Sequence, residues 1–201
     1  DALPIYNPLM LGTTAALIVV GGLGFFVWED IVDKRCWSRL SVYSKMVLLI
    51  TAVLIVGGAL FFLMEEFDNP ATLGDMPLWQ KGLNALFQSV TLRTAGFDSI
   101  GQGGLSDTSK AMSCVLMLIG GSSGSTATVG VLLLALRSGL MGREQVTFRG
   151  RAIHYRRVLN AMTLALVVLF VFVFSSMVVS TVEDLPYLDS AFEVASAMGT
   201  V

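Results

Sequence analysis

Four stretches, roughly residues 9–28, 46–64, 110–136 and 158–179, each hold close to the twenty or so apolar residues that a helix needs to cross a bilayer. Lipid offers no partners for backbone amides and carbonyls, so each stretch must satisfy its own hydrogen bonds and is predicted to be a helix. Only 14% of the residues are charged and 54% are hydrophobic, against roughly one-quarter charged in soluble domains. The expected fold class is therefore all-α, and the expected class of protein is polytopic membrane protein.

The net charge of −2 hides an asymmetry that orients these helices. Lys34, Arg35, Arg39 and Lys45 lie between the first and second stretches. Arg137, Arg143, Arg149, Arg151, Arg156 and Arg157 lie between the third and fourth. Basic loops stay in the cytoplasm. The remaining connections carry Glu65, Glu66, Asp68 and Asp75, then Asp98 and Asp107, then Glu183, Asp184 and Asp189, and are assigned to the outside. The signs alternate consistently only if residues 78–97 enter and leave by the outer side. This distribution points to no nucleic-acid partner. Cys36 falls in a basic loop and Cys114 in an apolar helix, so no disulfide is expected. The chain opens at Asp1 without a signal-peptide pattern and closes at Val201 inside what reads as a second loop. It is expected to be a piece of a longer polypeptide.

Phe87-Gln88-Ser89-Val90-Thr91-Leu92-Arg93-Thr94-Ala95-Gly96-Phe97 is too short and too polar to span. It reads as a re-entrant loop: a short helix enters, hands over to the turn Thr94-Ala95-Gly96-Phe97, and the chain leaves by the same side. Irregular backbone at that depth is tolerated where protein buries it or water lines it, and its carbonyls can replace the hydration shell of a cation. Gly96 permits the required angles, Ala95 adds little bulk, and Phe97 is expected to pack behind the turn. The plain alternative is an ordinary glycine turn at a helix C-terminus. A weak repeat favours the loop, because Leu83-Asn84-Ala85-Leu86-Phe87-Gln88-Ser89-Val90 resembles Leu188-Asp189-Ser190-Ala191-Phe192-Glu193-Val194-Ala195. Each octet follows an acidic outer loop, giving a repeating order of helix, pore helix, helix.

Arg93 stands beside the turn at membrane depth, where a charge needs a partner, and Glu193 is a candidate. The alternative is a clamp on loop carbonyls or a side chain that snorkels to the outer water. Ile119-Gly120-Gly121-Ser122-Ser123-Gly124-Ser125-Thr126 interrupts the third apolar stretch with small and polar residues. A broken helix is expected there, with Gly120, Gly121, Ser122, Ser123, Gly124, Ser125 and Thr126 as a gating loop below the turn, or else a surface for close helix packing. Gly21-Gly22-Leu23-Gly24 and Gly57-Gly58 read as packing surfaces. His154 has no second ligand at a sensible spacing and reads as a solvated residue or a contact with a cytoplasmic partner. Ser, Cys and His never fall in an arrangement that would orient a nucleophile, so no enzyme chemistry is expected.

These residues resemble the Trk/Ktr/HKT superfamily of potassium transporters, and more closely its bacterial Ktr-type membrane subunit. Gln88 to Phe97 resembles that family's third pore loop, Ile119 to Ala127 its intramembrane gating loop, and Phe192 to Val201 its fourth pore loop. Gly21-Gly22-Leu23-Gly24-Phe25 resembles the helix closing its second repeat. The resemblance implies four helix, pore-helix, helix repeats around one pore, of which this chain is a fragment. Residues 1–40 would end the second repeat, 41–157 would form the third, and 158–201 would supply the first helix and pore loop of the fourth. Carried over residue by residue, the filter falls on Thr94, Ala95, Gly96 and Phe97 and on Gly199, Thr200 and Val201, supported by Arg93 and Glu193. Potassium would be held by carbonyls near Thr94, Ala95, Gly96 and Thr200.

After Ala127 the chain departs from the family pattern and runs several residues short. The implied function is potassium uptake across the plasma membrane, alone or linked to sodium, with no covalent cofactor. The implied partners are membrane lipid, a second copy in a homodimer, and a cytoplasmic nucleotide-binding ring of the KtrA/TrkA kind. The alternatives are a secondary transporter of another small solute and a non-conducting membrane scaffold.

Overall fold

The computed structural model describes residues 7–93, 95–120, 125–142, 147–148 and 151–201. The described helices are α1 (Pro8–Gly22), α2 (Phe25–Lys34), α3 (Val42–Glu65), α4 (Leu78–Thr91), α5 (Asp107–Gly120), α6 (Ser125–Leu140), α7 (Tyr155–Val182) and α8 (Tyr187–Gly199). A short antiparallel ribbon, β1 (Thr147–Phe148) with β2 (Arg151–Ala152), lies in the basic connection between α6 and α7. The fold is otherwise all-α, as the apolar pattern predicts.

Two helices are long and apolar enough to cross a bilayer by themselves, α3 with 24 residues and α7 with 28. At about 1.5 Å per residue they reach roughly 36 and 42 Å, more than the ~30 Å hydrocarbon layer. Leu49, Val53, Val56 and Leu60 recur at helical spacing on the exposed side of α3, and Leu166, Phe170 and Phe174 are exposed on α7. Such stripes face lipid rather than a protein core. Each helix starts on a polar cap. Ser41 accepts from the Ser44 amide at 3.1 Å for α3. His154 Nδ1 accepts from the Arg156 amide at 3.3 Å for α7, so the single histidine caps a helix.

The first apolar stretch differs from the uninterrupted span expected over residues 9–28. α1 stops at Gly22, α2 starts at Phe25, and the two axes bend by 92°. Gly24 sits between them at φ 80° and ψ 151°, a conformation that disfavours any side chain. Trp28 Nε1 donates to the Val20 carbonyl at 2.8 Å and so satisfies an acceptor that the break releases. The glycines that read as a packing surface are here a corner. Of the third stretch, α5 is described to Gly120 and α6 from Ser125, and residues 121–124, where the composition predicts a break, lie outside the described residues.

The hairpin of α4 and α5 enters and leaves by one end of α3. Lys81, in the first turn of α4, donates to the Phe67 carbonyl just beyond α3 at 2.6 Å. On the return, the Ser106 amide donates to Glu66 Oε1 at 3.0 Å, and Asn69 Nδ2 donates to the Gly104 carbonyl at 2.9 Å. Both mouths of the loop are thus tied to residues 66–69, on the acidic side assigned outside. At 14 residues, α4 reaches about 21 Å and cannot span.

Glu66 is the centre of this outer clasp and is fully buried. Burial pushes its carboxyl toward the neutral form. Hydrogen bonds from the Ser109 side chain, the Ser106 amide, Thr72 and Asn69 outweigh that and hold it below the ordinary 4.5.

α4 packs between α1 and α3, and α8 packs between α5 and α7. One core cluster joins these pairs through Phe62, Leu73, Ala85, Leu92, Leu116 and Ala195. The order of long helix, outer connection, proline and short helix occurs twice, with Pro77 before α4 and Pro186 before α8. The octet repeat in the sequence falls on these two short helices.

Candidate functional site

α4 is buried on polar as well as apolar residues, because Asn84, Gln88, Ser89 and Thr91 are all hidden from solvent. Each finds a partner that shapes the loop. The Ser89 hydroxyl reaches the Ile55 carbonyl of α3 at 2.9 Å, and Gly58 leaves the room for it, since a Cβ there would strike Ser89 Oγ. Gln88 and Gln102 exchange side-chain hydrogen bonds at 2.9 and 3.2 Å, and Gln102 also donates to Asp98 Oδ1. α4 is thereby laced to the segment returning from the turn.

At the end of α4 the chain closes on Thr91. The Ala95 and Gly96 amides both donate to the Thr91 carbonyl, at 3.1 and 3.3 Å. The Thr91 hydroxyl accepts from the Phe97 amide at 2.8 Å and donates to the Phe97 carbonyl at 2.9 Å. Gly96 takes a positive φ of 66°. Among the described residues no hydrogen bond is accepted by the carbonyls of Ala95 or Gly96. They are oxygens of the kind that can solvate a cation. Thr94 lies outside the described residues. Phe97 is 44% exposed rather than packed behind the turn.

The second loop meets the first. α8 ends at Gly199, Thr200 adopts a left-handed φ of 55°, and the Val201 amide donates to the Ser196 carbonyl at 3.0 Å. A Cβ on Gly96 would lie 2.6 Å from the Val201 carbonyl carbon, so the two turns meet backbone to backbone there. Gly199 in turn sits against α5, where a Cβ would lie 3.1 Å from the Met117 carbonyl. Gly96, Gly199, Thr200 and Val201 are therefore one neighbourhood.

Arg93 is 7% exposed and sets Nη2 3.4 Å from Thr51 Oγ1 of α3. Glu193 lies on the exposed side of α8. Lys34 pairs with Asp30, and Lys110 with Asp189. The Lys110–Asp189 pair, at 2.6 Å, joins the start of α5 to the start of α8 across the outer face. Of the expected gating loop, Gly120 ends α5 directly against the turn, where a Cβ would lie 2.5 Å from the Arg93 carbonyl oxygen. Ser125 and Thr126 belong to the first turn of α6, and Gly121, Ser122, Ser123 and Gly124 lie outside the described residues.

Thr91, Gln102 and Lys110 carried no site assignment from sequence. Thr91 lay within the quoted loop, but its bond to Phe97 is a property of the folded turn. The one available signal was a hydroxyl residue directly after each octet of the repeat, Thr91 in one loop and Ser196 in the other.

Comparison with known proteins agrees with this architecture. Residues 6–201 match the cation transport protein family TrkH. The chain is 38% identical over 205 residues to the potassium/sodium uptake protein NtpJ of Enterococcus hirae, covering 97% of this chain and 45% of that protein. It is 32% identical over 191 residues to the Ktr system potassium uptake protein B of Bacillus subtilis, covering 92% and 43%, and 30% identical over 207 residues to that of Vibrio alginolyticus, covering 98% and 45%. The chain thus spans a little under half the length of these curated relatives. Its motifs, its alternating loop charges and its paired re-entrant helices agree with the match over nearly every residue. The chain belongs to the TrkH family of cation transport proteins and is a multi-pass protein of the plasma membrane.

Proposed function

We propose that this chain supplies the third repeat and the opening of the fourth in a potassium uptake protein, and that ions pass in single file beside the turns at Gly96 and Thr200. One observation carries the reading: the turns that end α4 and α8 meet at Gly96 and Val201, and among the described residues the Ala95 and Gly96 carbonyls accept no hydrogen bond. Carbonyl oxygens stabilise a dehydrated potassium ion without burying a full opposing charge. Thr94, Ala95, Gly96 and Phe97 form the third wall of this filter, and Gly199, Thr200 and Val201 begin the fourth. Arg93 stiffens the third wall from behind by reaching Thr51.

The membrane potential drives a cation inward by about 2.3 kcal/mol per charge per 100 mV, so this subunit needs no bond-breaking step of its own. The segment from Gly120 to Thr126 acts as the gate below the filter. The name of the Enterococcus relative supports sodium as a second transported or coupled ion. The naming of the Ktr systems supports a separate regulatory component, for which the basic connection between α6 and α7 is the docking surface. A homodimer is the proposed assembly.

The test is Gly96→Ser in the full-length protein, with rubidium and sodium uptake measured in cells lacking other potassium uptake. The new Cβ would meet Val201 at 2.6 Å and stand at a φ of 66° that side chains resist. Preference for rubidium over sodium is expected to fall by about tenfold or more, equivalent to about 1.4 kcal/mol. Uptake with unchanged preference would overturn the filter assignment.

A further inference from the structure

We infer that the Thr91 hydroxyl is the positioning residue of the third filter turn, setting which way the Ala95 and Gly96 carbonyls face. This inference rests on the proposed filter and adds a specificity-determining side chain to it.

The Ala95 and Gly96 amides both point back at one carbonyl, that of Thr91. That arrangement fixes the near side of the turn only. On its far side, one hydroxyl both accepts from the Phe97 amide at 2.8 Å and donates to the Phe97 carbonyl at 2.9 Å. A hydroxyl can do both at once because it carries a donor and acceptor lone pairs on the same atom. The peptide groups flanking Phe97 are thus tied to the last turn of α4, and the stretch between is closed at both ends. Neither bond uses the Ala95 or Gly96 oxygens. Thr91 is 1% exposed, so water does not compete for its hydroxyl.

The hydroxyl itself is held by a rigid base. Thr91 ends a helix that is fixed by Ser89 to the α3 carbonyls and by Gln88 to Gln102. The second loop carries a related arrangement. Ser196, which like Thr91 directly follows its octet of the repeat, donates its hydroxyl to the Val201 carbonyl. Two loops with little side-chain identity share a hydroxyl aimed at the backbone of their own turn.

The experiment compares Thr91→Val, which keeps the shape and removes both bonds, with Thr91→Ser, which keeps the hydroxyl. Each is made in the full-length protein, quantified at the membrane, and assayed for rubidium uptake against competing sodium. Thr91→Val is expected to raise the KM for rubidium and lower the rubidium-to-sodium preference by about tenfold, with Thr91→Ser restoring both to within about twofold. A merely structural role would lower the amount of protein and the maximal rate while leaving KM and preference unchanged, and that result would overturn the inference. So would a Thr91→Ser that behaves like Thr91→Val. Should Thr91→Val not accumulate, Thr91→Ala, which adds no bulk, is read in its place. If neither accumulates while Thr91→Ser does, the hydroxyl is a requirement of folding and the inference also falls. Gly96→Ser separates the levels: altered preference there with an unaltered Thr91→Val leaves the filter standing and removes Thr91 alone.

Discussion

Gly120→Ala tests how tightly the start of the proposed gating segment is fitted to the turn after α4. A Cβ at this position would lie 2.5, 2.6 and 2.9 Å from the carbonyl oxygen, Cα and carbonyl carbon of Arg93. Relaxation to an ordinary contact near 3.5 Å requires about 1 Å of movement. All three neighbours are backbone, so no side chain can swing aside. Either α5 shifts from the turn or the turn shifts from α5. Overpacking of this kind costs about 1–3 kcal/mol, and the terminal place of Gly120 in its helix leaves little propensity gain to offset it. Gly57→Ala is the control, because a Cβ there meets nothing within 4 Å. Cys114 is buried in α5 and serves as reporter once Cys36, an exposed thiol, and any other cysteine of the full-length protein are replaced by Ser, since its labelling by a thiol-reactive dye during heating then follows the loosening of this helix. Gly120→Ala is expected to become labelled at a lower temperature than both the parent and Gly57→Ala, and to show altered rubidium uptake. Labelling at or above the temperature of Gly57→Ala would refute the packing argument.

Glu66 makes the outer clasp sensitive to acid. Its carboxyl is held below the ordinary 4.5, so the unfolded chain binds the proton more readily, and the stabilisation is present above that value and lost as pH falls through the folded one. Hydrogen exchange across residues 66–77 should therefore accelerate on acidification below 4.5, and Glu66→Gln should exchange fast already at neutral pH; equal protection in both proteins would refute this. At the other end of the chain, Gly24→Ala places a side chain at φ 80° and should cost on the order of 1–3 kcal/mol, seen as a lower melting temperature of the full-length protein. An unchanged melting temperature would mean that the 92° corner does not depend on this residue.

The sequence carried the topology further than the contacts. Loop charges alone required residues 78–97 to return to the side they came from, and the bonds from Lys81 and Ser106 to the far end of α3 place both mouths there. Charge placement is legible because it is a property of whole loops. The corner at Gly24 was not legible, since an apolar run rich in glycine has the same hydropathy whether its glycines pack a straight helix or turn one. Arg93 reaches Thr51, 42 positions away, and Lys110 reaches Asp189, 79 positions away. Such partners depend on which helix faces which, and no local pattern encodes that. His154 is exposed, as one of its two sequence readings has it, and its added role is local: it precedes a helix and accepts from the amide two residues on. Histidine is not among the usual residues at that position.

The bare meeting of Gly96 with Val201 has a mechanical consequence. Flexible side chains normally act as cushions, letting one element settle without disturbing the next. Here carbonyl carbon faces Cα with no cushion between them, 2.6 Å from where a Cβ would stand. A small tilt of α8, whether from α7 behind it or from the Lys110 tie at its outer end, is passed undamped to the end of α4. In the filter we propose, the bore at this level is a shared dimension of two loops, and neither can widen alone.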